Sequence, residues 1–272
     1  MGVERRERDG VAYRETGPAD AERVALCLHG YPTGSRLWEP TLEALAAEGW
    51  RAIAPDLPGF GRSEPLRPGT WHRQIETVET FRRSLGLDRV ALCVHDWGGL
   101  IGLRWACDHP DAVRALVIAD TGFFDDGAWN GVAQTLRTEG KGEELVDGLD
   151  RDGFGELLRG VSPGMPDEAI DEYWQAYTTT DRRRAQLELY RSGDFSELAA
   201  YQGCLAALEV PTLVLWGAKD ELAPIGGGHR FHKQIPGSEM VVLDEAGHFL
   251  HHDEPERVAS EIAAFLSTSA GT

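Results

Sequence analysis

Asp96, Asp220 and His248 lie far apart in the chain, yet each closely follows a short apolar run that reads as a β-strand. Residues just past the ends of neighbouring parallel strands gather along one edge of the sheet, so the three side chains can meet. Together they offer a nucleophile, an acid and a base. A carboxylate nucleophile suits a leaving group on saturated carbon, which it displaces to leave an alkyl ester on the enzyme. A histidine oriented by a second carboxylate can then activate water against the carbonyl carbon of that ester. The tetrahedral intermediate needs hydrogen-bond donors for its oxyanion. The backbone N–H of Trp97, directly after Asp96, and that of Tyr31, in a loop behind another strand, are the candidates.

The stretch Val90-Ala91-Leu92-Cys93-Val94-His95-Asp96-Trp97-Gly98-Gly99-Leu100 positions the first of these groups. An apolar run stops at a charge, and two glycines open a new apolar segment at helical spacing. This predicts a strand, a sharp turn and a helix, with Asp96 at the apex beside a helix N-terminus that favours negative charge. The geometry is that of the nucleophile elbow G-x-S-x-G, with Asp96 in the serine position and Val94 where the first glycine usually sits.

The rest of the chain supplies the frame. Residues 3–16 read as a hairpin around Asp9-Gly10. Strand patterns at 24–28, 51–55, 113–119, 211–216 and 239–243 join the elbow strand. They alternate with helical patterns at 36–48, 71–85, 226–235 and 255–266. Such alternation predicts an α/β fold with a mostly parallel, doubly wound sheet. Residues 267–272 read as a frayed tail. Between 121 and 208 the rhythm breaks: helical candidates at 145–149, 154–158, 167–177 and 182–191 alternate with glycine-rich breaks, and no strand is evident. This is too long for a loop in a compact domain, so it reads as a helical cap (lid) inserted into a core of residues 1–120 and 209–272.

The motifs His29-Gly30-Tyr31-Pro32-Thr33, Asp56-Leu57-Pro58-Gly59-Phe60-Gly61-Arg62-Ser63, the elbow, Gly217-Ala218-Lys219-Asp220 and Gly247-His248-Phe249 span nearly the whole chain. On these the sequence resembles the α/β-hydrolase superfamily, and within it the aspartate-nucleophile branch of haloalkane dehalogenases and epoxide hydrolases. The resemblance implies Asp96 as nucleophile and His248 as base. It favours Asp220 as the triad acid, although Asp120 also follows a strand and some dehalogenases draw their acid from there. Val94 before the histidine and Thr33 after the proline look like dehalogenases, in which Trp97 would also hold the departing halide. Tyr31 stands where an asparagine often supplies the second halide ligand, so Trp129 or Trp174 of the cap is considered for that task. Leu187-Glu188-Leu189-Tyr190-Arg191-Ser192 looks like the cap motif that carries an epoxide-activating tyrosine. Epoxide hydrolases usually add another earlier in the cap, and no tyrosine occurs between Tyr31 and Tyr173. Hydrolytic dehalogenation is therefore the leading expectation, with epoxide hydrolysis second. The intact triad argues against a protein that keeps the fold only to bind a ligand.

Composition bounds the partners. The chain has 272 residues, 42% of them apolar, and a net charge of −18, which argues against nucleic acid and anionic membranes. No run approaches the roughly 20 apolar residues of a membrane span. The charged start Met1-Gly2-Val3-Glu4-Arg5-Arg6 does not read as a signal peptide. The four cysteines occur singly, and Cys27 and Cys93 fall in strand-like runs where a buried, reduced thiol is expected. His248, His251 and His252 have helix-like spacing, but no carboxylate or cysteine cluster supports a metal there. The expectation is a cytoplasmic monomer or homodimer, without cofactor or metal, acting on a small apolar substrate.

Overall fold

The computed structural model describes residues 2–269. The chain opens with the hairpin β1 (Glu4–Arg8) and β2 (Val11–Thr16), turning at Asp9 and Gly10, both at positive φ. Then come β3 (Val24–Leu28), α1 (Glu39–Ala47), β4 (Arg51–Pro55), α2 (Trp71–Ser84), β5 (Val90–His95), α3 (Trp97–Asp108) and β6 (Val113–Ala119). After a helical insertion follow β7 (Thr212–Gly217), α10 (Gly226–Gln234), β8 (Glu239–Leu243), the short α11 (Leu250–Asp253) and α12 (Pro255–Ser269).

The strands form one eight-stranded sheet in the order β1-β2-β4-β3-β5-β6-β7-β8. β1, β2 and β4 pair antiparallel, and every pairing from β4 to β8 is parallel. β3, β5 and β7 are buried at every position, which is why their sequences are continuous apolar runs rather than alternating ones. Helices cover both faces: α1 and α12 pack on one, and α2, α3 and α10 on the other. This is the doubly wound α/β arrangement, and it brings the ends of β3, β5, β6 and β7 to a common edge.

Residues 121–208 lie between β6 and β7 and hold α4 (Gly131–Arg137), α5 (Lys141–Gly148), α6 (Arg151–Val161), α7 (Asp167–Tyr173), α8 (Thr180–Arg191) and α9 (Cys204–Ala207), with no strand among them. The helix at α4 escaped sequence reading because only Val132, Ala133 and Leu136 are apolar in it, and just two of the three are buried. Residues 267–269, read as frayed, continue α12, where the Thr268 hydroxyl donates back to the Phe265 carbonyl at 2.9 Å. The remainder of that expected tail, residues 270–272, lies outside the described residues.

Several long-range links seat the insertion on the sheet. Cys107, at the end of α3, forms a disulfide with Cys204, at the start of α9, with their Cα atoms 5.8 Å apart. The 97-residue separation hides this pair from sequence patterns. Cys27 and Cys93 are buried free thiols. Arg67 and the Gly69 N–H both donate to Glu188. The deepest link is Glu172, which accepts from the Arg14 guanidinium at 2.8 Å, while Arg14 also donates to the Ser35 hydroxyl at 2.7 Å. Arg14 is only 1% exposed, so removing Glu172 leaves its buried charge with the more distant carboxylate of Glu39, at 3.7 Å. Glu172→Ala is expected to destabilise the protein by about 3–5 kcal/mol, measured by denaturant unfolding; an unchanged unfolding midpoint would show that this link does not hold the insertion.

Candidate active site

Asp96 sits between β5 and α3 at φ 49° and ψ −122°, a left-handed conformation that a non-glycine residue adopts only when its surroundings force it. The surroundings are close backbones. A Cβ on Gly98 would stand 2.2 Å from the Leu28 carbonyl oxygen, and one on Gly99 would stand 2.1 Å from Thr121 Oγ1. Glycine at both positions lets α3 press against β3 and β6, and the Thr121 hydroxyl donates to the Asp96 carbonyl at 2.6 Å. The turn thus lifts the Asp96 side chain above the sheet edge, at the N-terminus of α3.

Gly30 admits this side chain, since a Cβ there would lie 2.2 Å from Asp96 Oδ1. The Tyr31 N–H donates to that same Oδ1 at 2.6 Å, and the Trp97 N–H, first in α3, favours the ionised carboxylate. Both backbone donors expected for an oxyanion therefore converge on Asp96. The loop bearing Tyr31 is held by His29, which lies by the Gly30 carbonyl through Nδ1 and accepts from the Leu57 N–H through Nε2 at 2.9 Å. Asp56 organises the neighbouring loop, accepting from the Ser35 and Arg62 N–H groups.

His248 follows β8 and lies with Nε2 3.6 Å from Asp96 Oδ2 and Nδ1 2.8 Å from Asp220 Oδ2. The other oxygen of Asp220 accepts from the Leu222 and Ala223 N–H groups at 2.7 and 2.8 Å. Asp120, the rival acid, instead accepts from the Gly217 N–H at 3.0 Å. Burial above all, and then the Asp220 carboxylate, push Asp120 well above the usual carboxylate range. Burial alone would also lower the His248 pKa, but Asp220 and Asp96 outweigh it and hold the imidazolium well above 6.5. Asp96 shows the mirror image: burial opposes its charge, and His248 together with the Trp97 N–H keeps it ionised below 3.8.

A set of aromatic polar groups surrounds Asp96. The Trp97 indole lies against Tyr190, with the rings 5.0 Å apart, and it partly offsets the rise that burial imposes on the Tyr190 phenol. Trp129 stacks on Trp97 at 5.6 Å, and its own indole N–H is buried without a partner. Trp174 stacks on Tyr177 at 5.4 Å and lines neither cavity at Asp96. Tyr177, which sequence reading passed over, donates its hydroxyl to that of Tyr31 at 2.7 Å. Burial pushes the Tyr31 phenol up to about 12 and raises those of Tyr177 and Tyr190 further, so all three remain proton donors. His251 packs on Trp38 and His95, while His252 hydrogen-bonds the Tyr173 hydroxyl; they do not converge with His248.

Two cavities meet at this centre and share Asp96, Asn130, Tyr190 and Leu222 in their walls. One, of about 280 Å³, extends past Trp97, Trp129 and Phe195. The other, of about 160 Å³, extends past Tyr31, Tyr177 and His248 into aliphatic side chains of the insertion.

The alpha/beta hydrolase family model matches residues 25–261. The chain belongs to that family. A haloalkane dehalogenase of Mycobacterium marinum is 33% identical over 271 residues, covering 93% of this chain and 87% of that one. A cis-3-alkyl-4-alkyloxetan-2-one decarboxylase of Xanthomonas campestris pv. campestris is 27% identical, covering 95% and 93%. The crystal structure of haloalkane dehalogenase DbeA from Bradyrhizobium elkani superposes with a TM-score of 0.84 at 25% identity, covering 99% of each chain. The protein is thus an enzyme of the alpha/beta hydrolase family, related to haloalkane dehalogenases.

Two further residues of this α/β-hydrolase site carry no sequence signal as strong as the motifs. His95 bonds through Nε2 to the His248 carbonyl at 2.7 Å and so ties the loop of the base to the strand of Asp96. Its adjacency to Asp96 was the only available hint. Thr121 had none. Because the folded-state pKa of His248 lies above its ordinary 6.5, its pairing stabilises the fold fully below about pH 6.5, and that contribution is lost as pH rises through the raised value. NMR titration of the His248 ring should find the imidazolium persisting above pH 6.5, with a lower pKa in Asp96→Asn. An equal pKa in the two proteins would mean that Asp96 does not charge this histidine.

Proposed function

We propose that this enzyme hydrolyses a carbon–halogen bond through an alkyl ester on Asp96. The observation that carries the reading is the Asp96 carboxylate itself: ionised, with Oδ1 tied to the Tyr31 N–H and Oδ2 left to attack, beside an indole N–H and a phenol. The resemblance to haloalkane dehalogenases over nearly the whole chain supports it. Residues 121–208 then form the cap, and residues 1–120 and 209–272 the core.

In the first step Oδ2 attacks the carbon bearing the halogen, and the carbon–halogen bond breaks with its electron pair leaving on the halide. The Trp97 indole N–H and the Tyr190 O–H stabilise that developing charge, with the unpartnered Trp129 indole as a further ligand. Esterification removes the negative charge of Asp96. His248 thereby loses one of the two carboxylates that hold its proton, gives that proton up to solvent as the halide departs, and as the neutral imidazole becomes able to act as a base. It takes a proton from water, whose oxygen attacks the ester carbonyl carbon. The oxyanion forms where Oδ1 stood, facing the Tyr31 and Trp97 N–H groups. Collapse expels the alcohol, which takes its proton from His248, and the Asp96 carboxyl left behind passes its own proton to the imidazole, restoring the carboxylate and the imidazolium. Asp220 holds the imidazole in place throughout.

A second reading is favoured by the phenols. Tyr177 and Tyr190 both come from the cap, and both line the cavity that holds Asp96. Two phenols suit the oxygen of an opening epoxide, which must be protonated or strongly hydrogen-bonded as the ring breaks. Incubation with haloalkanes and, separately, with epoxides discriminates the two. Halide release is expected, reduced by about 10²–10³-fold in Trp97→Phe. Diol formation without halide release, lost on Tyr190→Phe and not on Trp97→Phe, would reverse the assignment.

A further inference from the structure

The reacting centre opens in two directions, and the two differ in their walls. Asp96 stands at the junction of the cavities, so a carbon within its reach stands there too. One cavity leads away between aromatic rings, among them Phe124 and Phe195. The other leads through the cap among aliphatic side chains, including Leu145 and Leu149. A substrate that reacted at the end of a chain would fill one of these spaces, and a halide held at Trp97 and Trp129 would take up only a small part of the other, leaving the remainder of about 280 Å³ to water.

The surface carries a second, independent sign. Among the described residues, the large apolar side chains left exposed are Val132, Leu157 and Val161, at 48, 54 and 36%. All three border the aliphatic cavity. On α6 the apolar positions Phe154, Leu157, Leu158 and Val161 recur at helical spacing; Phe154 and Leu158 are buried, whereas Leu157 and Val161 are not. The stripe thus runs on past the part that the protein itself covers. On a chain of net charge −18, such a rim at a cavity mouth marks a place where an apolar group comes to lie.

We propose that the substrate carries its electrophilic carbon inside a hydrocarbon chain rather than at its end. One arm lies in each cavity, and the longer arm passes out between Val132, Leu157 and Val161. This rests on Asp96 as the attacking group, as set out under the proposed function. It adds the substrate class: a mid-chain, secondary electrophile with one short and one extended alkyl arm.

Binding of unreactive product analogues tests it without relying on turnover. A series of secondary alcohols is used, with one arm kept short and the other lengthened stepwise, against primary alcohols of equal carbon number. In the wild-type enzyme the affinity, read from thermal-shift titrations, is expected to rise by roughly fourfold per methylene buried. The secondary alcohols should bind more tightly than their primary isomers. The exposed-rim variant Leu157→Lys with Val161→Lys should fold normally, bind the shortest alcohols unchanged, and lose the gain for the longest arms. Equal or tighter binding of primary alcohols would overturn the two-armed arrangement, and an unchanged chain-length response in the rim variant would overturn the exit route. A rim variant that abolished binding of an added protein or lipid vesicle while leaving every alcohol affinity intact would assign the rim to that partner and overturn the proposal. If the alcohols behave as expected but matching mid-chain bromides release no halide, the dehalogenase reading fails and the two-armed site stands.

Discussion

The structure depends on keeping one carboxylate ionised where water has little access. Asp96 retains only 25% side-chain exposure, and an uncompensated charge in such a place costs several kcal/mol. Its compensation comes from four directions: the Tyr31 N–H, the Trp97 N–H, the N-terminus of α3 and the imidazolium of His248. Each of these has a structural precondition. The first needs glycine at 30, the second a left-handed Asp96, the third the close approach permitted by Gly98 and Gly99. The fourth needs Asp220, itself pinned by two backbone donors. The motifs spread along the chain are thus one arrangement for stabilising a single negative charge, and the proposed mechanism draws its reactivity from the removal of that charge by esterification.

The residues that would receive a leaving group come largely from elsewhere. Trp129, Tyr177 and Tyr190 belong to the insertion between β6 and β7, so their aim depends on how firmly that insertion is docked. The buried Arg14–Glu172 pair, the Arg67–Glu188 pair and the Cys107–Cys204 disulfide hold it at separate points. Under the proposed mechanism core and insertion divide the chemistry: the core would supply the nucleophile, base and oxyanion donors, and the insertion the leaving-group side and the space for the substrate.

This division explains what the sequence reveals. Positions at the ends of the buried strands β3, β5 and β7 are legible because continuous apolar runs and glycine-bearing turns constrain them strongly, and Asp96, Asp220 and His248 all stand next to such runs. The insertion is less constrained. Its helices are short and amphipathic, so α4 was missed. Tyr177 has no sequence signal as a partner for Tyr190, because only the short 3-10 turn after α7 brings it back to Tyr31. The choice between Trp129 and Trp174 likewise depended on packing: a stack on Trp97 places the first at the site, and a stack on Tyr177 keeps the second out of it. The disulfide joins residues 97 positions apart and is visible only once the fold is known.

The central claim is that Asp96 itself becomes esterified and that water attacks the ester carbonyl rather than the substrate. A single turnover in heavy-oxygen water, with the enzyme in excess over substrate, tests this most directly by mass spectrometry of the peptide containing Asp96 and of the alcohol released. The account predicts heavy oxygen in the Asp96 carboxylate and ordinary oxygen in the alcohol. Heavy oxygen in the alcohol with none in Asp96 would mean that water attacks the substrate directly, and would contradict it.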